Sequence, residues 1–211
     1  MQSNSRNEIL NRIAAVRPKR IAAVDILTNG VEEIYKPIRP DLVNCFKSEL
    51  EAINGQCILC ENESDQFLKI KGFLNSNGFT SIYCRDSQIT KQLSKAGISS
   101  TNDPADFETM RVGITACEFL VARTGSVIVT SAGESGRQMN IFPPIHLVLA
   151  RKDQVVDFLT NALIALQNKY GNELPSTLTT ITGPSRTADI EKTLVLGAHG
   201  PKEFIVFLSK I

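Results

Sequence analysis

Between Asp41 and Gly97 the apolar residues switch repeatedly between a helical and an extended period, and that alternation limits the folds open to the chain. In "DLVNCFKSELEAI", Leu42, Cys45, Phe46, Leu50 and Ile53 form one helical stripe, and Asp41, just after Pro40, is placed to cap it. "QCILC" is a short continuous apolar run, the pattern of a buried strand. "SDQFLKIKGFLNSNG" returns to the helical period, with Ser64 as N-cap and Gly78 as stop. "TSIYC" predicts a second strand, and "SQITKQLSKAG" another helix ended by Gly97. Strands separated by helices have no tight hairpin to join them, so they pair in parallel through helical crossovers.

The second half is richer in strands. "RVGIT", "SVIVTS" and "IHLVLAR", the last begun by Pro143-Pro144, are β-branched runs, and "STLTTIT" and "EFIVFLSK" follow near the end. "DQVVDFLTNALIALQNKYG" predicts a helix capped by Asp153, with Val155, Val156, Leu159, Leu163 and Leu166 inward. At the start, Ile9, Ile13 and Val16 fall at helical spacing, with Arg12 and Arg17 on other faces, and "TNGVEEIYKPIRP" reads as a linker. The expected organisation is an N-terminal helix and linker over 1–40 and an α/β domain over 41–211. That domain has a mostly parallel central sheet flanked by helices, with antiparallel pairing at its edges.

Composition narrows the function classes. With 211 residues and a net charge of +1, the chain lacks the basic excess of a broad nucleic-acid binder. "MQSNSRNEIL" has no apolar signal core, and no apolar run is long enough to span a membrane. The five cysteines, at 45, 57, 60, 84 and 117, are odd in number and scattered, which predicts reduced thiols in a cytoplasm. Cys57 and Cys60 form a Cys-x-x-Cys, but Ile58 and Leu59 lie between them and no second pair exists. They are expected to be core residues of a strand, and no metal or cofactor is expected in this chain.

Three polar turns carry candidate chemistry. "SAGESGR" lacks the final Gly of a nucleophile elbow; it is either a flexible turn or a loop offering Glu134 as a carboxylate nucleophile. No Walker A or G-x-G-x-x-G sequence is present. "ARTGSV" sets Thr124, Gly125 and Ser126 before a strand, either as an anion-binding turn or as a plain helix-to-strand turn. In "GPSRTADIEKTLVLGAHGP", Ser185, Arg186 and Thr187 follow a strand, a short helical turn with Ile190 and Leu194 inward comes next, and a second turn carries His199. Arg186 suits a carboxylate or phosphate, and loops at the carboxyl ends of α/β strands collect ligands. The expected crevice joins Thr124, Gly125, Ser126, Ser185, Arg186, Thr187, Asp189 and His199. In the alternative, Asp189 only caps, Arg186 pairs with Asp189 or Glu191, His199 bonds a carbonyl, and the stretch staples the C-terminus.

"TLTTITGPSRTADIEKTLVLGAHGPKEFIVFLSKI" resembles the C-terminal signature of the LUD-domain family, more narrowly its lactate-utilisation protein C group. "RVGITACEFLVARTGSVIVTS" is similar to the family's other motif, and "RQMNIFPPIHLVLARKDQVV" fits the piece between them. The likeness covers most of 111–211. Arg123 departs from it, because relatives often carry an acid just before the Thr-Gly. The resemblance implies a fold similar to the ribose-phosphate isomerase and CoA-transferase class. It also implies a part in oxidising L-lactate to pyruvate beside two partner proteins that hold the iron–sulfur clusters, with this chain the cluster-free member. The competing expectation is a stand-alone enzyme on a sugar phosphate or acyl-CoA, with Glu134 or Asp189 acting. An exposed apolar patch on the N-terminal helices favours the accessory subunit, and a deep pocket around a carboxylate favours the enzyme.

Overall fold

The computed structural model of the protein describes residues 3–16, 38, 41–187 and 195–211. The chain divides into two units, Met1–Pro37 and Ile38–Ile211. In the first, α1 spans Ser3–Val16, with Ile9, Leu10 and Ile13 exposed. Apart from Ile38, the stretch read as a linker lies outside the described residues up to Pro40.

In the second unit the expected alternation is present. The order is α2 (Leu42–Ala52), β1 (Gln56–Cys60), α3 (Glu63–Ser76), β2 (Ile82–Tyr83), α4 (Ser87–Lys95) and β3 (Ser100–Thr101). The strands β4 (Val112–Ala116), β5 (Phe119–Val121), β6 (Ser126–Thr130), β7 (Ile145–Arg151) and β8 (Val155–Val156) follow, then α5 (Leu159–Tyr170). The chain closes with β9 (Leu178–Ile181), β10 (Arg186–Thr187), β11 (Val195–Leu196) and β12 (Glu203–Ser209). Asp41 caps α2, its carboxylate accepting from the Val43 N–H at 2.9 Å. The cap of α3 is Asn62 rather than Ser64: its side-chain oxygen accepts from the Asp65 N–H at 3.0 Å.

The helix expected from Asp153 onward starts later. Val155 and Val156 form β8 and pair with Leu120 and Val121 of β5, and the helix begins at Leu159. Asp153 binds Arg151 through two 3.0 Å hydrogen bonds instead of capping. A sheet partner overrode the helical period here, because two valines gain as much from a strand neighbour as from a helix face.

Six strands build an all-parallel sheet in the order β1-β12-β7-β4-β2-β3. The antiparallel pairs lie in a second sheet, β8-β5-β6-β9, and in the hairpin β10-β11. The last strand is interior, since β12 is inserted between β1 and β7, and Phe204 to Leu208 are fully buried. One core lies between the six-stranded sheet and α3 and α4, around Phe67, Ile70, Leu93 and Phe207. Another separates the sheet from α2 and the second sheet, around Phe46, Leu50, Leu120 and Val206. α5 covers the far face of the second sheet through Ala162 and Leu166.

In mid-sheet sits a buried polar pair. His146 of β7 lies between Gly113 of β4 and Phe204 of β12, and its Nε2 is 2.8 Å from the Thr115 hydroxyl. Its Nδ1 has no hydrogen-bond partner and is buried. A bare lone pair is cheaper to strand in a core than an N–H, so the proton belongs on Nε2, donated to Thr115. Burial pushes the imidazole down to about 3.

Candidate functional site

The turns of Thr124–Ser126 and Gly183–Arg186 both lie against the C-terminal half of α2. Gly125 has φ +61°, and a Cβ there would stand 2.3 Å from the Leu50 nitrogen, so only a glycine lets this turn meet the helix backbone. The neighbouring hydroxyls form a chain, Thr124 to Ser126 at 2.7 Å and Ser126 to Thr182 at 2.8 Å. That chain ties the start of β6 to the end of β9. Gly183, at φ +77°, brings the next turn against Ile53, the residue that ends α2. Arg186 donates from its guanidinium to the Ile53 carbonyl, a cation on an orphan acceptor at a helix C-terminus.

Ser185 joins the two halves of the C-terminal stretch. Its N–H donates to the Pro201 carbonyl at 2.8 Å, its carbonyl accepts from Gly197 at 2.9 Å, and its hydroxyl accepts from the His199 N–H at 3.4 Å. Thr187 pairs with Val195, and Arg186 with Leu196, in the β10-β11 hairpin. So the Ser185 and His199 turns meet through the backbone. His199 itself is exposed and borders a separate cavity of about 280 Å³ with Ile141, Phe142 and Lys202. Asp189, Ile190, Glu191 and Leu194 lie outside the described residues.

The location differs from the expected one. Pro201 leads directly into β12, and the Lys202 N–H donates to the Pro144 carbonyl just before β7. The stretch therefore sits at the amino ends of the parallel strands, not at their carboxyl ends. The carboxyl-end rule presumes that a loop leaves the strand it belongs to in the main sheet. Here the loop leaves β9 of the second sheet and enters the first.

The other candidates have structural partners. Glu134 accepts from the Ser87 N–H at 2.6 Å and the Ser87 hydroxyl at 3.1 Å, and these bonds hold its carboxyl below the usual range. It closes the N-terminus of α4 from 47 residues away. Arg123 stacks over the Phe158 ring at 5.4 Å.

Cys57 and Cys60 lie on β1 but belong to different cores, so they face opposite sides of the sheet. Burial pushes their thiols up to about 12 and 11, and Cys117 to about 12. All five thiols are free, and Cys45 is the one not buried. Alkylation of the native protein is therefore expected to label Cys45 first, with Cys57, Cys60 and Cys117 reacting only after denaturation. Peptide mass spectrometry over a time course reads the order, and early labelling of Cys57 or Cys60 contradicts it.

The family model described as the LUD domain matches residues 43–209. The chain belongs to the LUD-domain family. Among its relatives, this LUD chain is similar to lactate utilization protein C 1 of Bacillus mycoides, 29% identical over 172 residues that cover 80% of this chain and 69% of that protein. It is 36% identical to lactate utilization protein C of Bacillus subtilis over 96 residues, 44% of this chain and 40% of that one. A crystal structure of a DUF162 family protein from Deinococcus radiodurans shares its fold, with a TM-score of 0.61 at 16% identity, over 80% of this chain and 96% of that one. Among the described residues of the LUD chain, no helix is long and apolar enough to cross a membrane.

Proposed function

We propose that this LUD-domain protein is a cluster-free subunit or accessory protein of an iron–sulfur-dependent L-lactate utilisation system, in which lactate is oxidised to pyruvate. The family match over 43–209, together with relatives named lactate utilization protein C, carries the reading. The cysteines support it. The two cysteines of the Cys-x-x-Cys, Cys57 and Cys60, pack into separate cores on opposite faces of the sheet. The clusters then belong to two partner proteins, and this chain acts in a cytoplasmic assembly with them. The alternative, a stand-alone enzyme using Glu134, would require that carboxylate to leave Ser87.

Deleting the gene in its own host tests the reading. Loss of growth on L-lactate, restored by the gene, is expected, together with co-purification of the tagged chain with two iron–sulfur proteins. Unchanged growth and a chain that purifies alone would overturn it.

The reading includes a small anionic ligand, a carboxylate of lactate size, at the turns of Thr124–Ser126, Ser185–Thr187 and His199. There Arg186 would exchange a neutral carbonyl for a charged partner, and charge-assisted hydrogen bonds are the stronger. Arg186→Ala is expected to cost about 1–2 kcal/mol of stability through the lost bond to Ile53. It is also expected to abolish any rise in melting temperature that L-lactate produces in the unsubstituted protein. Thermal melts of both proteins with and without lactate separate a ligand clamp from a pure staple, which loses stability alone.

A further inference from the structure

The two edges of the six-stranded sheet differ. β3 ends one side with two residues, Ser100 and Thr101. β1 ends the other with five, and among the described strands its one partner is β12. A long edge strand presents a row of backbone groups to any other strand that meets it.

The ladder fixes the direction of those groups. The Cys60 carbonyl accepts from the Lys210 N–H, just past β12, at 2.9 Å, so the Cys60 carbonyl faces into the sheet. Backbone groups alternate along a strand, so Gln56 and Ile58 face inward with it, and Cys57 and Leu59 face out. Both outward carbonyls are taken, each by a lysine. Lys47 of α2 donates to the Cys57 carbonyl at 3.0 Å, and Lys69 of α3 donates to the Leu59 carbonyl at 2.8 Å. The two helices pack on opposite faces of the sheet, so the lysines close over the edge from both sides. Each is also held by an acid one turn away on its own helix, Lys47 by Glu51 and Lys69 by Asp65.

The outward pattern is self-complementary. In an antiparallel pair about a two-fold axis through Ile58, Cys57 of one copy would face Leu59 of the other on both sides of the axis. Each such pair exchanges N–H and carbonyl bonds. Both exchanges need the carbonyls that the lysines hold. We propose that Lys47 and Lys69 guard a latent self-pairing surface: they keep the β1 edge from joining the β1 edge of a second copy of this chain. The proposal is independent of the lactate reading, which rests on neither lysine.

Sedimentation equilibrium of the full chain tests it. The double variant Lys47→Met, Lys69→Met keeps the apolar stems and removes the donors. It is expected to self-associate about tenfold or more tightly than the unsubstituted protein. The double variant Lys47→Arg, Lys69→Arg keeps the cations and is expected to behave like the unsubstituted protein. Ile58→Cys, added to each background, locates the contact. Facing residues of a non-hydrogen-bonded antiparallel pair stand about 4.5 Å apart between Cα atoms, within reach of a disulfide. Under mild oxidation the methionine background is expected to give a covalent dimer joined through position 58, mapped by peptide mass spectrometry, and the lysine and arginine backgrounds none. If circular dichroism shows the double methionine variant unfolded, the single variants Lys47→Met and Lys69→Met carry the same two readouts. Self-association equal to that of the unsubstituted protein, association without the link at position 58, or the same link in the lysine or arginine background would each overturn the proposal.

Discussion

Between pH 7 and pH 4 the protein is expected to lose roughly 3 kcal/mol of folding stability through His146 alone. In the unfolded chain this imidazole takes up its proton near 6.5; in the folded core it does so only near 3. Between those values the unfolded state binds more protons, so stability rises with pH there and is lost as pH falls. Burial alone causes the depression. No charged group offsets it, because the neighbours of the ring are the Thr115 hydroxyl and the Phe204 ring, 5.3 Å away. The upper part of the window, above pH 5, is free of the carboxylates held low by their partners, such as Asp65 on Lys69. Urea unfolding at a series of pH values reads the slope. The double variant Thr115→Val, His146→Phe removes both polar partners together and is expected to flatten the curve between pH 6.5 and 5. An equal slope in both proteins would show that His146 is not the acid-sensitive group.

Gly125→Ala is expected to be the most damaging single methyl in the fold, costing more than about 3 kcal/mol. Two penalties combine. The residue sits at φ +61°, where a side chain is strained, and its Cβ would overlap helix backbone, 2.3 Å from the Leu50 nitrogen and 2.6 Å from the Glu49 carbonyl carbon. Backbone cannot rotate away as a side-chain tip can. Relief requires α2 to lift off the second sheet, which opens the core around Phe46 and Leu50. Gly133→Ala, with nothing within 4 Å of the new methyl, is the control and is expected to stay within about 0.5 kcal/mol of the unsubstituted protein. Thermal melts of the two variants decide it, and similar melting temperatures would mean that the turn and helix are not in contact.

The two effects differ in how far the sequence reveals them. The Thr-Gly-Ser turn stands out in "ARTGSV" as a place where a side chain is unwelcome, but only the fold shows that α2 is what the glycine meets. His146 carries no signal beyond being a polar residue inside the strand "IHLVLAR". Its burial depends on the strands that flank it, and both come from distant parts of the chain.

The sequence by itself determined the local elements and their class. Period, caps and breakers are short-range, so the alternation from α2 to α4, the strand "QCILC" and the body of α5, though not its start, are readable where they stand. The resemblance of 111–211 to the LUD-domain family is equally local, since it lies in motifs. Tertiary structure alone decided the rest. The period of two valines cannot say whether they belong to α5 or to a sheet, because the deciding partner, β5, is more than 30 residues away. The final strand became an interior strand of the sheet because its five apolar residues need neighbours on both sides. That insertion carried the polar stretch before β12 to the amino ends of the strands. Which end of a sheet a loop reaches depends on the order in which the strands assemble, and strand order is set by the pairing of surfaces far apart in sequence.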